Sequence, residues 1–132
     1  MVNFRIIKYN MRSFIRGIKN LWRWFPVIWK DRDYDHVFTY DVLIKKLEFQ
    51  RDFFLSKDAS VSNAKDTAKE IQTAIDKLKR TMDPYEFYEK PVFENKWDHL
   101  SKEIILDIDR KYTEDKKEAF IYLAKNIDKW WD

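Results

Sequence analysis

The sequence predicts an all-α fold, a single-domain helical bundle of about five helices. The 132 residues contain one glycine and three prolines, 45% of them are hydrophobic, and apolar residues recur at three- and four-residue steps along most of the chain. Sandwiches and barrels need repeated glycine, asparagine and proline at their turns. A chain of this length and hydrophobic content can bury one core, so we expect one domain over 1–132.

The first helix is predicted at about 4–24 as a basic amphipathic helix. Its apolar residues share one face and its basic residues share another. The apolar set is Phe4, Ile7, Met11, Phe14, Ile18, Leu21 and Phe25, and the basic set is Arg5, Lys8, Arg12, Arg16, Lys19 and Arg23. Pro26 should end or kink this helix, because proline lacks an amide donor and disfavours helical angles at the preceding residue.

The second and third helices are predicted from their apolar stripes. Asp33 or Asp35 can cap the second helix, expected over 37–55. Ser60 or Ser62, in the polar loop 57–63, is expected to cap the third helix, and Asp83 with Pro84 to stop it. The stripe of the second helix is Val37, Tyr40, Ile44, Leu47 and Phe54, and that of the third is Ala64, Ala68, Ile71, Ile75, Leu78 and Met82.

The last part of the chain is predicted to hold two more helices. Pro91 should keep 85–92 irregular, and Thr113 should cap the fifth helix. The fourth helix is marked by Trp97, Leu100, Ile104 and Ile108, and the buried face of the fifth by Phe120, Leu123, Ile127 and Trp130. Trp130 and Trp131 are consecutive, so only one of them can face the core.

Charge is distributed unevenly along the chain. The net charge is +3, but residues 1–30 carry seven bases and no acid, and the remainder carries 19 bases and 23 acids, which gives −4. There is no cysteine, which excludes disulfides, thiolate metal sites and cysteine nucleophiles. No apolar run reaches eighteen residues and no secretion signal is recognisable, so neither a membrane-spanning helix nor export is expected.

The stretch 20–35, which reads N-L-W-R-W-F-P-V-I-W-K-D-R-D-Y-D, is the candidate site. Its tryptophans could stack on a base while the neighbouring cations bind a phosphate. They could equally belong to the core, since large aromatics dominate core burial. Under the first interpretation the ligand-binding residues are Trp22, Arg23, Trp24, Trp29, Lys30, Arg32 and Tyr34.

No catalytic or metal site is expected. Asp31, Asp33 and Asp35 alternate as in a calcium loop, but His36 and Val42 occupy the positions where that loop needs glycine and glutamate. His36 and His99 could each supply half of a metal site, although surface histidines are the simpler interpretation. No triad or phosphate-loop spacing is present, so we expect neither an enzyme nor a cofactor.

The block at 20–35, together with the terminal K-W-W-D at 129–132, resembles a family of small bacteriophage-encoded proteins. The resemblance covers the first 55 residues and the last helix, and it implies a viral origin and a setting in the host bacterial cytoplasm. It brings no catalytic residue. Small phage proteins often act on host machinery or immune signals.

These observations predict a counter-defence decoy that sequesters a phosphate-bearing small molecule, such as a nucleotide immune signal. Two alternatives are a protein interaction module that inhibits a host enzyme or nucleic-acid-processing complex, and nucleic-acid binding by the first helix. A membrane is the least favoured partner, because the bundle core is expected to use the apolar face of the first helix. Six tryptophans, seven tyrosines and ten phenylalanines predict a homo-oligomer.

Overall fold

The regular secondary structure is helical in the computed structural model, which describes residues 4–82 and 102–131. These residues form four α-helices and contain no strand. The helices are α1 (Phe4–Lys30), α2 (His36–Leu55), α3 (Ala64–Arg80) and α4 (Lys102–Asn126), and a 3₁₀ turn (Ile127–Lys129) follows. The all-α prediction is confirmed, although the described part holds four α-helices where about five were predicted.

The chain divides into two compact units, Met1–Phe38 and Thr39–Asp132. The prediction of one domain over 1–132 stays a prediction.

None of the helices in 4–82 and 102–131 combines the length and the apolarity needed to cross a bilayer. The expectations for Asp83, Pro84, Trp97, Leu100 and the segment 85–92 lie outside the described residues.

Pro26 was predicted to end or kink the first helix, and it does not end it, because α1 continues to Lys30. Proline inside a helix costs about 3 kcal/mol and removes one backbone hydrogen bond, the one to the carbonyl of Trp22. The ring of Phe25 lies 6.4 Å from that of Trp22 and 5.5 Å from that of Trp29. Aromatic pairs at such distances contribute about 0.5–1.5 kcal/mol each, so these contacts offset part of the cost.

The second helix begins where a cap was predicted. The Oδ1 atom of Asp35 accepts a hydrogen bond of 3.0 Å from the backbone N–H of Val37, in the first turn of α2. The N-cap predicted for the third helix was wrong. Asn63 is the N-cap residue in place of Ser60 or Ser62, and its side chain makes no capping hydrogen bond.

The predicted break at Thr113 is also wrong, because α4 runs without interruption from Lys102 to Asn126. The residues around 113 include no glycine or proline to stop a helix. Ion pairs at helical spacing also cross this region, since Arg110 pairs with Asp107 at 2.8 Å and with Glu114 at 3.0 Å. Such pairs stabilise a continuous helix by a few tenths of a kcal/mol each.

The Thr39–Asp132 unit is a helical bundle with a core built from α2, α3 and α4. Ile71, Ile75 and Leu78 are fully buried, so α3 contributes the most enclosed side chains. Tyr40, Ile44, Leu47, Phe54, Ala68, Ile71, Ala74, Ile75, Leu78, Ala119, Leu123 and Trp130 form the buried cluster. The stripes predicted for the second and third helices are confirmed, with Val37, Ala64 and Met82 half-buried.

The buried face predicted for the last helix is correct at Leu123 and Trp130 and wrong at Phe120 and Ile127, which are about half exposed. Ala119 faces the core instead, and Phe120, one position on, is rotated by about 100°. The helix also changes to a 3₁₀ turn at Ile127, so the α-helical period no longer applies there.

Candidate functional site on the first helix

The apolar face of α1 is exposed over most of its length. Nine large apolar side chains are between 41% and 74% accessible: Met11, Phe14, Ile15, Ile18, Leu21, Trp22, Phe25, Ile28 and Trp29. With about 100° of rotation per residue, these positions occupy an arc of about 140° on the helix surface. From Met11 to Trp29 the face extends for about 27 Å at 1.5 Å per residue.

This exposure corrects an expectation from the sequence, in which the apolar face of the first helix belonged to the bundle core. Isoleucine is fully buried at positions 71 and 75 of α3, whereas Ile28 of α1 is 61% accessible. Single exposed apolar residues are common, but a continuous exposed face of this kind marks an interaction site. The apolar face of α1 is therefore the candidate interaction surface.

A basic stripe lies beside this face. Its described members are Lys8, Arg12, Arg16, Lys19, Arg23 and Lys30, all of them exposed, and α1 contains no acidic residue. At about 100° per residue they fall within an arc of about 80°, which does not overlap the apolar arc. The helix therefore presents two adjoining surfaces, one apolar and one cationic.

Of the seven predicted ligand-binding residues, Trp22 and Trp29 lie on the apolar face. Phe25 stands between them, and its ring centroid is 6.4 Å from that of Trp22 and 5.5 Å from that of Trp29. Trp22 is 74% and Trp29 71% accessible, so neither belongs to a core in this structure. The three rings form an exposed row along the last turns of α1.

Trp24, Arg23 and Lys30, which are also on α1, do not lie on the apolar face. Arg23 and Lys30 are on the basic stripe, roughly 100° around the helix from Trp22 and Trp29. Trp24 is half-buried and lies about 160° from Trp22. These five side chains thus occupy three sides of α1 and do not share one face.

Arg32 and Tyr34 follow the helix in an exposed turn. The Nη1 atom of Arg32 donates a 2.7 Å hydrogen bond to the carbonyl of Asp31 and lies 3.5 Å from the carbonyl of Trp29. Carbonyls at a helix C-terminus lack amide partners, so this guanidinium supplies a donor to the end of α1. Tyr34 is 86% accessible.

A shallow cleft of about 330 Å³ lies on the apolar face and is lined by Ile18, Leu21, Trp22 and Phe25. Trp22 is the only one of the seven predicted residues among those four. No charged side chain lines it, so the cleft suits an apolar group and offers no phosphate contact.

Within the acidic run after α1, Asp35 has a structural role. Asp35 caps α2, and the Nδ1 atom of His36 lies 3.8 Å from its Oδ1 atom. Within 4–82 and 102–131, no three histidine, cysteine, aspartate or glutamate side chains are grouped so that they could hold a metal ion. His99 lies outside those ranges.

Sequence reasoning identified both faces of α1 but assigned the apolar one to the core. No protein-family model matches the chain, and neither a curated protein nor a solved structure matches it. The resemblance to bacteriophage proteins stays a prediction.

Proposed function

We propose that the protein binds the surface of anionic membranes through α1, which lies in the plane of the lipid headgroups. The observation that carries the proposal is the pairing of nine exposed large apolar side chains with an acid-free basic stripe on one helix. Amphipathic helices that lie in a membrane interface have this composition, with aromatic and aliphatic residues on one face and lysine and arginine on the other.

The apolar face and the basic stripe contribute different amounts to the free energy of membrane binding. Removing a Leu, Ile or Phe side chain from water is worth about 1.5–3 kcal/mol when burial is complete. A lysine or arginine near an anionic surface contributes about 1 kcal/mol. The apolar face therefore supplies the larger part of the binding energy, and the basic stripe selects anionic lipids. Added salt should weaken binding without abolishing it.

The spacing of the charges favours a helix parallel to the surface. A basic residue recurs at three- or four-residue steps from Lys8 to Arg23, so every turn in this stretch has a cation for the phosphate layer. Long basic side chains can keep their charge among headgroups while their stems follow the apolar surface. Trp22 and Trp29 suit the same depth, because tryptophan favours the interface between lipid and water.

Other partners account for fewer of the features of α1. Nucleic acid would contact the basic stripe and leave the apolar face in water. A second copy of α1 packed antiparallel would place two stripes of like charge on the same side of the seam, which disfavours the predicted homo-oligomer in that arrangement. A host protein would need an apolar groove with an acidic rim, and the experiment below separates that case from lipid.

The resemblance to phage proteins suggests which membrane α1 would meet. A phage protein made in the host bacterial cytoplasm would meet the cytoplasmic leaflet, whose surface is negative. The decoy hypothesis has less support, because the residues predicted to bind a nucleotide do not share one face of α1. It stays a prediction, as do the absence of enzymatic activity and the inhibition of a host enzyme.

The test is co-sedimentation with vesicles of neutral phosphatidylcholine, with or without anionic phosphatidylglycerol. We expect binding to the anionic vesicles, a blue shift of tryptophan fluorescence, and a partial loss of binding with salt. Leu21→Ser should weaken binding strongly. Leu106→Ser is the matched control, because Leu106 on α4 is 58% accessible and Leu21 is 63% accessible. Absence of binding to anionic vesicles, or equal effects of the two variants, would overturn the proposal.

A further inference from the structure

A second cleft lies in the Thr39–Asp132 unit, between the last turns of α2 and the first turns of α3. Its volume is about 500 Å³, within the range of small-molecule sites. Arg51, Asp52, Leu55, Lys65, Ala68, Lys69 and Gln72 line it. None of these residues belongs to α1, so the cleft is independent of the proposed membrane surface.

Two lysines give the cleft a cationic rim. Lys65 and Lys69 are one helical turn apart on α3 and therefore point to the same side. The Nζ atom of Lys69 lies 3.8 Å from the Oδ1 atom of Asp66, and both of these side chains are about four-fifths exposed. An exposed pair at that distance is weak, so the ammonium group of Lys69 can exchange it for a stronger anion.

Arg51 is the third cation, and its guanidinium is held in a fixed orientation. Its Nε and Nη2 atoms donate to Oδ1 of Asp52 at 2.9 and 2.7 Å, and its Nη1 atom donates to Oε1 of Gln72 at 2.5 Å. Gln72 is itself held by a 2.8 Å hydrogen bond to Asp76. A guanidinium has five N–H donors, so two remain beyond these three bonds.

The apolar lining residues of the cleft are Leu55 and Ala68, and Ala68 is 3% accessible because it also belongs to the core cluster. Leu55 is 61% accessible although it is a large aliphatic side chain at the end of α2. No aromatic residue lines the cleft, so a nucleotide base would find no stacking partner there. The lining suits an aliphatic group beside an anionic one.

We propose that this cleft binds an alkyl phosphate, with the phosphate between Arg51, Lys65 and Lys69 and the chain against Leu55 and Ala68. Three cations line the cleft, and two carboxylates lie beside them, since Asp52 pairs with Arg51 and Asp66 lies 3.8 Å from Lys69. Positive charge remains in excess, so the charge of the site complements a phosphate. Guanidinium and ammonium groups form strong, charge-assisted hydrogen bonds to phosphate oxygens. The ligand is either a free alkyl phosphate or the headgroup of a phosphate-bearing lipid.

The test is calorimetric titration of the full chain with octyl phosphate below its micelle-forming concentration. We expect saturable binding of one molecule per chain at this cleft. Lys65→Gln and Lys69→Gln should each weaken the affinity about tenfold, which corresponds to the loss of one charge-assisted contact. Lys46→Gln is the control, since Lys46 is an exposed lysine of α2 that does not line the cleft.

Two further arms separate this site from α1 and identify the source of the phosphate. The saturable binding of octyl phosphate should persist in Leu21→Ser, which weakens only the apolar face of α1, and the methyl resonance of Ala68 should shift on binding. Phosphatidic acid in vesicles, offered to the Leu21→Ser protein, tests the lipid headgroup against the free amphiphile. The proposal is overturned by absence of saturable binding, by unchanged affinity in both lysine variants, or by loss of binding in Leu21→Ser.

Discussion

The indole Nε1 atom of Trp130 donates a 3.1 Å hydrogen bond to Oε2 of Glu70, which joins the C-terminal end of the described chain to α3. The carbonyl of the same residue accepts a 2.8 Å hydrogen bond from Nε2 of Gln50 on α2. Trp130 is 4% accessible and its neighbour Trp131 is 73% accessible. The prediction that only one of the two tryptophans can face the core is confirmed, and the bundle is closed by the first of them.

Trp130→Ala should destabilise the protein by roughly 3–5 kcal/mol, because it removes a large buried side chain and leaves a cavity. Trp131→Ala is the matched control and should change the unfolding free energy by less than about 0.5 kcal/mol. Urea unfolding followed by far-ultraviolet circular dichroism measures both. Equal stability of the two variants would contradict the closing role of Trp130.

Periodicity was sufficient to predict the helices whose apolar stripes meet in the core. Tyr40, Ile44 and Leu47 on α2 and Ile71 and Ile75 on α3 are buried as their spacing indicated. This succeeds because spacing determines which residues share a helix face. The cap at Asp35 was predictable for a similar local reason, since a side-chain oxygen before a helix can accept an amide hydrogen bond.

Spacing does not determine what covers a face, and the errors in the prediction follow from that. Ile18 and Ile28 have the same period as the core isoleucines, yet they are exposed. Pro26 and Thr113 are local boundary signals, yet α1 and α4 continue through them. Ring contacts offset part of the cost at Pro26, and ion pairs at helical spacing support the helix around Thr113. The location of the candidate site stays a prediction, and what the structure corrects is the expected burial of the apolar face of α1.

Gly17→Ala should stabilise α1 by about 1 kcal/mol, because glycine is the least favourable helix residue after proline. Nothing lies within 4 Å of a Cβ atom built at this position, so the added methyl group meets no steric obstacle. Hydrogen exchange of the α1 amides should slow by about fivefold for each kcal/mol gained. Faster exchange in the variant would mean that the glycine permits a contact that a methyl group blocks.

Stability should fall with acid because of Glu118 and Glu48. A hydrogen bond from Lys77 holds the pKa of Glu118 below its usual value of 4.5. Partial burial opposes ionisation of Glu48, but hydrogen bonds and charges from Lys45 and Lys79 outweigh it and lower its pKa as well. The unfolded carboxyls bind protons more readily, so this stabilisation is present above about pH 4.5 and is lost as the pH falls through the lower folded pKa values.

The measurement for these carboxyls is the melting temperature between neutral pH and about pH 3. Glu48→Gln and Glu118→Gln should each reduce the drop in melting temperature over that interval. Glu103→Gln is the control, because Glu103 is an exposed acid of α4. A drop of the same size in all three variants would show that other carboxyls carry the acid dependence.

Replacement of isoleucine by alanine should have opposite consequences in the two units. Ile71 is fully buried, and Ile71→Ala should cost about 2–5 kcal/mol of unfolding free energy through lost contacts and a cavity. Ile28 is 61% accessible, so Ile28→Ala should change stability by less than about 0.5 kcal/mol. For binding to anionic vesicles the order of the two effects reverses, and Ile28→Ala should be the more damaging variant. Ile28 lies on the face that enters the lipid, so its truncation removes apolar area from that contact. Urea unfolding and vesicle co-sedimentation of the same two variants measure both effects, and a large loss of stability in Ile28→Ala would assign the apolar face of α1 to a packed core after all.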